Sequence, residues 1–131
     1  MTSPLLTATT GNVPYTITLT DSTHKWLGDA PTEFGGADQG PSPHTLLLSS
    51  LGACTAITLS MYANRKTWAL EGVEVVLGYA SETPGATTIT REIKLKGKLD
   101  DEQRARLLEI AGACPIHKIL SGDIKIESKL A

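Results

Sequence analysis

Cys54 and Cys114 are the only two cysteines of the chain. A thiolate can attack a peroxide or another sulfur atom, bind a metal, or form a disulfide. Cys54 lies in the segment SSLGACTA (residues 49–56), within a stretch between Asp38 and Arg65 that contains no Asp, Glu, Lys or Arg. A free cysteine in such apolar surroundings is usually buried and inert. Position alone therefore leaves Cys54 open as a core residue or as a nucleophile.

Cys114 stands in different surroundings, because Pro115 follows it. Proline is common in the first turn of a helix, so Cys114 is predicted at or near an N-cap. The positive end of the helix dipole lowers the pKa of a thiol there. His117 could act as its base, or could be a solvated surface histidine. With no CxxC motif and only three histidines, neither a zinc site nor another cofactor is expected.

Composition narrows the class of protein. A chain of 131 residues that is 40% hydrophobic and 20% charged is typical of one globular domain, residues 1–131. The net charge of −2 and the aromatic content of 5% argue against nucleic-acid binding. The N-terminus has neither a basic start nor a sustained apolar run, so no secretory signal is predicted and a cytoplasmic location is expected.

The uncharged stretch around Cys54 is long enough to span a bilayer. It also carries several hydroxyl groups, glycine and a histidine, and lies between segments that alternate as in a soluble sheet. We therefore expect no membrane insertion, but a helix that is buried on nearly all sides. One small sheet cannot cover such a helix, so the sequence predicts a homodimer.

The elements that position the cysteines follow from periodicity. Period-two alternation predicts strands at residues 15–19, 24–27, 73–79, 87–99 and 123–130. Helices are predicted from Ser42 to about Lys66, over residues 100–112 and over residues 114–120. The glycine-rich and proline-rich residues 28–43 form a loop longer than a connection needs, which favours a functional segment. The order of elements indicates an α+β fold with mostly antiparallel strands.

Spacing also predicts which face of the long helix carries Cys54. Apolar residues recur at intervals of three and four, at positions Leu47, Leu51, Cys54, Ile57 and Met61. Small residues such as Gly52 and Ala53 occupy other faces and would let a second helix approach closely.

Several segments together resemble the OsmC/Ohr family of cysteine peroxidases. They are GPSPHTLLLSSLGACTA (residues 40–56), ITLSMYANRKTW after it, the strand ITREIKLKG and the later CPIHKIL. The likeness extends from Phe34 to the C-terminus. It implies the OsmC-like fold, with a long central helix in an intertwined homodimer. It also implies that Cys54 is the peroxidatic and Cys114 the resolving cysteine, with an organic hydroperoxide as substrate and an external dithiol as reductant.

The chain departs from the family at the groups that activate the thiolate. Members carry a Glu nine or ten residues before the first cysteine, where this chain has Thr45 and His44, and an N-terminal Arg, whereas the first arginine here is Arg65. Either another group, His44 or Arg91 from either subunit, takes this role, or activity is weak.

Three functions compete. The first is the thiol peroxidase that the resemblance implies. The second is a binding protein that holds a small hydrophobic ligand without turnover, which the missing Arg–Glu pair favours. The third is a thiol hydrolase that would use Cys114 with His117, although no convincing oxyanion arrangement is visible.

Overall fold

The computed structural model describes residues 5–131. The first four residues, part of the segment weighed as a secretory signal, lie outside the described residues. The chain divides into two compact units, one ending at Leu47 and the other comprising Leu48–Ala131, so the boundary falls inside the long helix. The single domain over residues 1–131 stays a prediction.

The N-terminal unit contains an antiparallel sheet of three strands in the order β1-β2-β3. The strands are β1 (Thr7–Thr10), β2 (Thr16–Thr20) and β3 (Lys25–Asp29). The second and third correspond to predicted strands. The first was not predicted, because a run of threonine and alanine has no apolar alternation to reveal it.

Asp29, at the end of β3, organises the loop that follows. Its side chain is almost fully buried, with 2% of its surface exposed. The carboxylate accepts hydrogen bonds from the Thr16 hydroxyl (2.9 Å) and from the N–H groups of Ala30 (2.8 Å), Ala37 (3.2 Å) and Gln39 (3.2 Å). Burial opposes ionisation of this carboxyl, but the hydrogen bonds outweigh it and lower its pKa. The glycine-rich loop, which includes a 3₁₀ turn at Thr32–Phe34, is thereby tied to the sheet.

Three helices and a hairpin complete the fold. Their bounds are α1 (Pro43–Arg65), β4 (Ala69–Thr83), β5 (Ala86–Lys98), α2 (Asp101–Ala111) and α3 (Pro115–Ser121). Strands β4 and β5 pair antiparallel, joined by a turn in which Gly85 has a φ of +78°. All three helices were predicted, and each predicted boundary is within about two residues of the observed one.

The capping of α2 follows from its sequence. The Asp100 side chain accepts from the Gln103 backbone N–H (2.7 Å), and the Gln103 side chain accepts from the Asp100 N–H (3.0 Å). This reciprocal pair satisfies two backbone donors that the first helical turn cannot use internally.

The core of the C-terminal unit lies between α1 and α2. Its buried members are Leu59, Ala63, Leu107 and Ala111. Partly buried apolar residues from the hairpin and the helix ends pack against it: Tyr62, Trp68, Leu70, Val73, Ile93, Leu95, Leu99 and Ile110.

The buried face of α1 differs from the predicted apolar stripe. The row that is buried recurs every fourth residue: Leu51, Thr55, Leu59 and Ala63. Of the predicted stripe, Leu51 is buried and Cys54 half-buried, while the remaining members are exposed. The single chain therefore covers only one face of α1. The helix was predicted to be buried on nearly all sides with the help of a second subunit, and the burial of its other faces stays a prediction.

The predicted C-terminal strand is also wrong for the single chain. Residues 123–130 have no regular secondary structure, and Ile124, Ile126 and Leu130 are exposed. Alternation shows that a segment can present two faces, but a strand also needs a partner edge to pair with. No described strand of this chain pairs with the segment.

The fold class is confirmed as α+β with antiparallel sheets and one long helix. Within residues 5–131, α1 is the helix that is long and apolar enough to cross a membrane by length and composition, a test that core helices of soluble proteins also pass. The absence of membrane insertion and the cytoplasmic location stay predictions.

Candidate functional site

Cys54 lies midway along α1, where it is half-buried. It directly precedes the buried Thr55, so the packing of α1 against the rest of the unit fixes the direction in which the Cys54 side chain points. One turn later, the Thr58 hydroxyl lies 4.0 Å from the Cys54 sulfur. The thiol thus faces polar partners despite the apolar sequence around it.

Cys114 is the N-cap residue of α3 and is fully buried. The turn that leads from α2 into α3 carries it there, with the Ala113 N–H donating to the Ile110 carbonyl (2.8 Å). The Lys118 N–H donates to the Cys114 carbonyl (3.1 Å), which begins the helix. The position at a helix start, with Pro115 next, is the predicted one.

The structure brings the two cysteines together. Both thiols are free, and each lies close enough to the other to shift the pKa of the other. The Ile116 N–H, from the first turn of α3, acts on the Cys54 sulfur. Two residues from distant parts of the sequence therefore form one site.

The two thiols differ in acidity. Burial opposes ionisation of Cys54, but the Cys114 thiol, the Ile116 N–H, the Thr58 hydroxyl and the charge of Arg91 together outweigh it and lower its pKa. Burial raises the pKa of Cys114, and the neighbouring Cys54 raises it further. The helix start, which by itself would have made Cys114 the more acidic thiol, is outweighed by these two effects.

Arg91 is the cation of this site. Its side chain projects from β5, where it donates from Nη1 to the Thr55 hydroxyl (3.0 Å) and from Nη2 to Nδ1 of His117 (3.1 Å). Of the two candidates for the missing family arginine and glutamate, Arg91 therefore lies where its charge reaches Cys54. His44 lies in the first turn of α1, exposed, and its role stays a prediction.

Sequence reasoning missed Thr55 and Thr58. Their hydroxyls lie on the same helix as Cys54, one and four residues after it, but threonines within a helix are usually explained by a bond to the preceding turn. Thr55 does make that bond, donating to the Leu51 carbonyl (2.6 Å). Its second role, accepting from Arg91, depends on a strand 36 residues away and leaves no local signal.

A cavity of about 500 Å³ adjoins the site. Arg91 and His117 line it on the polar side, and its other walls are Leu51, Thr87, Ile89, Ile93, Leu108, Leu120 and Ser121. Apolar walls with a few convergent polar groups are typical of small-molecule sites. Cys54 is not one of the residues that line this cavity.

No set of three or more His, Cys, Asp or Glu side chains within residues 5–131 is arranged to hold a metal ion. With its own residues, this arrangement can perform nucleophilic chemistry at Cys54. The pKa of this thiol is lowered, and a second thiol, Cys114, and the Arg91 guanidinium lie beside it.

Comparison with known proteins supplies the family. The family described as OsmC-like protein matches residues 35–129. The chain belongs to this OsmC family. The resemblance to OsmC/Ohr proteins seen in the sequence is thereby confirmed.

Solved structures of OsmC-like proteins share the fold. One from Mycoplasma pneumoniae has a TM-score of 0.77 at 19% identity, covering 92% of this chain and 89% of its own. An organic hydroperoxide resistance protein, OsmC, from Legionella pneumophila has a TM-score of 0.69 at 22% identity, covering 93% and 91%. The organic hydroperoxide resistance protein OhrB of Bacillus subtilis has a TM-score of 0.62 at 23% identity, covering 93% of each chain. The sequence has no significant match among curated proteins.

Proposed function

We propose that this OsmC-like protein is a thiol peroxidase that reduces organic hydroperoxides with Cys54 and Cys114. The observation that carries the proposal is the pair of adjacent free thiols, of which Cys54 has a lowered and Cys114 a raised pKa. A peroxidase with two cysteines needs one thiol ionised for attack and a second thiol that later condenses with the sulfenic acid. The printed names of the Legionella pneumophila and Bacillus subtilis proteins, both organic hydroperoxide resistance proteins, support the same class of substrate.

The reaction begins with the Cys54 thiolate. It attacks the terminal oxygen of the hydroperoxide, the O–O bond breaks, and the alkoxide leaves as an alcohol after taking up a proton. Cys54 is then a sulfenic acid. The Cys114 sulfur attacks the Cys54 sulfur, which forms a disulfide and releases water. An external dithiol reduces the disulfide by exchange and restores both thiols.

Arg91 supports the first step in this scheme. Its positive charge favours the thiolate over the thiol and so raises the fraction of Cys54 that can attack. The family's Glu and N-terminal Arg are thereby replaced by a cation from β5. The cavity beside Arg91, with its apolar walls, has room for the organic part of a hydroperoxide.

The test is peroxide consumption by the purified protein with a dithiol as reductant. Cys54→Ser should abolish turnover, whereas Cys114→Ser should leave a sulfenic acid on Cys54 after one equivalent of hydroperoxide, detected by mass spectrometry. Ala53→Ser places the same side chain on the neighbouring exposed position of α1 and should retain activity. If the wild-type protein consumes no peroxide and both thiols remain free, the proposal fails.

A binding protein without turnover is the second candidate, and the cavity is the observation that favours it. Its volume of about 500 Å³ lies within the usual range of ligand sites, and most of its walls are apolar. An apolar ligand that binds wild type and Cys54→Ser equally, with no peroxide consumed by either, would favour this function.

The thiol hydrolase has less support. Nδ1 of His117 accepts from Arg91, and burial raises the pKa of Cys114. Both observations argue against Cys114 and His117 as a nucleophile and base.

A further inference from the structure

The hydrogen bond between Arg91 and His117 defines the protonation state of the imidazole. A guanidinium has only donors and stays charged in proteins. The 3.1 Å contact between Nη2 and Nδ1 can therefore be a hydrogen bond only if Nδ1 carries no proton. His117 is neutral in this arrangement, with its proton on Nε2.

The two partners of Arg91 hold it in different ways. Thr55 is fully buried in α1, and its hydroxyl hydrogen is used in the bond to the Leu51 carbonyl, so its lone pairs are left for Arg91. That contact does not change with pH. His117 lies on the short helix α3 and is only half-buried, and it lines the cavity together with Arg91. Its contact persists only while the ring is neutral.

We propose that His117 is a positioning residue, whose neutral Nδ1 holds the Arg91 guanidinium close to the Cys54 thiol and whose protonation releases it. A second proton on the ring would go to Nδ1, the atom that now accepts from Arg91. The acceptor would be lost, and two cations would face each other across the same contact. Arg91 would then turn away from His117, and its effect on Cys54 would weaken.

The titratable groups connected to the hydrogen bond between Arg91 and His117 come from three elements. Arg91 from β5 contacts the His117 ring, the backbone N–H of His117 acts on Cys114 at the start of α3, and Arg91 in turn acts on Cys54 of α1. The other residues that line the cavity carry no charge. No carboxylate lines that cavity to stabilise a protonated His117 beside Arg91.

The inference rests on the proposed role of Cys54 as the nucleophile, but its test does not need a peroxide. The rate of Cys54 alkylation by iodoacetamide, followed site by site with mass spectrometry on the reduced full-length protein, measures the thiolate directly. Two variants separate the roles of the ring. His117→Asn places an amide oxygen where Nδ1 stood and cannot be protonated, whereas His117→Leu removes the acceptor and keeps apolar bulk.

The expected results differ between the variants. His117→Leu should alkylate about three to ten times more slowly at neutral pH, the change produced by a rise of half to one pH unit in the titration of Cys54. His117→Asn should react at nearly the wild-type rate at neutral pH. In acid, the wild-type rate should fall more steeply with pH than a single thiolate titration allows, and His117→Asn should lose that extra steepness.

Two controls keep the inference testable. In an Arg91→Gln background, His117→Leu should have no further effect, because the residue it positions is gone. If His117→Leu does not fold, the comparison of wild type with His117→Asn in acid still decides the matter. The proposal is overturned if the two His117 variants alkylate alike, or if wild type and His117→Asn have the same pH profile. Wild type that alkylates as expected but consumes no peroxide would refute the peroxidase and leave this inference standing.

Discussion

Cys54 is half-buried and Cys114 fully buried, and their pKa values move in opposite directions. The difference comes from which groups each sulfur faces. Cys54 receives the Cys114 thiol, a backbone N–H, the Thr58 hydroxyl and the charge of Arg91, while burial and Cys54 itself act on Cys114. At the scale of single residues, neighbours from α1, β5 and α3 thus determine which of the two thiols attacks in the proposed reaction.

Removing the charge of Arg91 should raise the pKa of Cys54. Because the folded-state pKa is lowered, the thiolate of the wild type persists to lower pH than that of an unperturbed thiol. Arg91→Gln should move the alkylation profile of Cys54 to higher pH, with a rate at neutral pH lower by about tenfold if the pKa rises by one unit.

Lys94→Gln is the matched control for this measurement. It lies on the same strand at an exposed position, where Lys94 pairs with Glu74 at 3.3 Å. Exposed pairs of this kind contribute little, so its profile should match the wild type. Equal profiles for Arg91→Gln and wild type would show that Arg91 does not lower the pKa of Cys54.

At the scale of elements, the close approach of α1 to the hairpin depends on Gly52. A Cβ built at this glycine would lie 2.9 Å from Cδ1 of Leu77 on β4. A real side chain must therefore displace Leu77, which is the end of a flexible chain and can move a little. The face of α1 that bears Gly52 is packed against this strand too closely for a branched side chain.

Gly52→Val should destabilise the protein by roughly 1–3 kcal/mol, as overpacking does in other cores. Glycine and valine are both weak helix formers, so packing decides the result. Thermal or denaturant unfolding measures it. Gly72→Val is the control, because an added Cβ there has its nearest neighbour at 3.8 Å. An unchanged midpoint for Gly52→Val would show that the contact with Leu77 is loose.

At the scale of the whole molecule, many large apolar side chains remain exposed in the single chain. On α1 they include Ile57 (53% exposed) and Met61 (60%), and in the C-terminal segment Ile126 (82%) and Leu130 (99%). Exposed apolar surface of this extent is typical of protein interfaces. We therefore retain the homodimer as a prediction, with the uncovered face of α1 inside its interface.

Ile57→Asp should convert such a dimer to a monomer, since a carboxylate buried in an apolar interface without a partner is strongly unfavourable. Light scattering coupled to size exclusion at micromolar concentration measures the mass. Ala105→Asp adds the same charge at an exposed position of α2 and should leave the mass unchanged. A monomeric wild type would contradict the prediction.

The sequence by itself determined the family, the class of fold and most of the elements. Helix α1 was predictable because Ser42 and Pro43 mark its start and its apolar periodicity is local. The hairpin was predictable because alternation and the turn at Gly85 are also local signals. The two cysteines could be singled out because they are the only ones, within segments that resemble an OsmC/Ohr site.

Tertiary structure alone decided how the groups of the candidate site are arranged. The contacts of Arg91 join residues that are 36 and 26 positions apart, and no local pattern encodes such pairs. The order of acidity of the two thiols likewise depends on burial and on neighbours from three elements, which outweigh the local effect of the helix start at Cys114. The C-terminal segment shows the same limit, because its alternation is local but strand pairing requires an edge supplied from elsewhere.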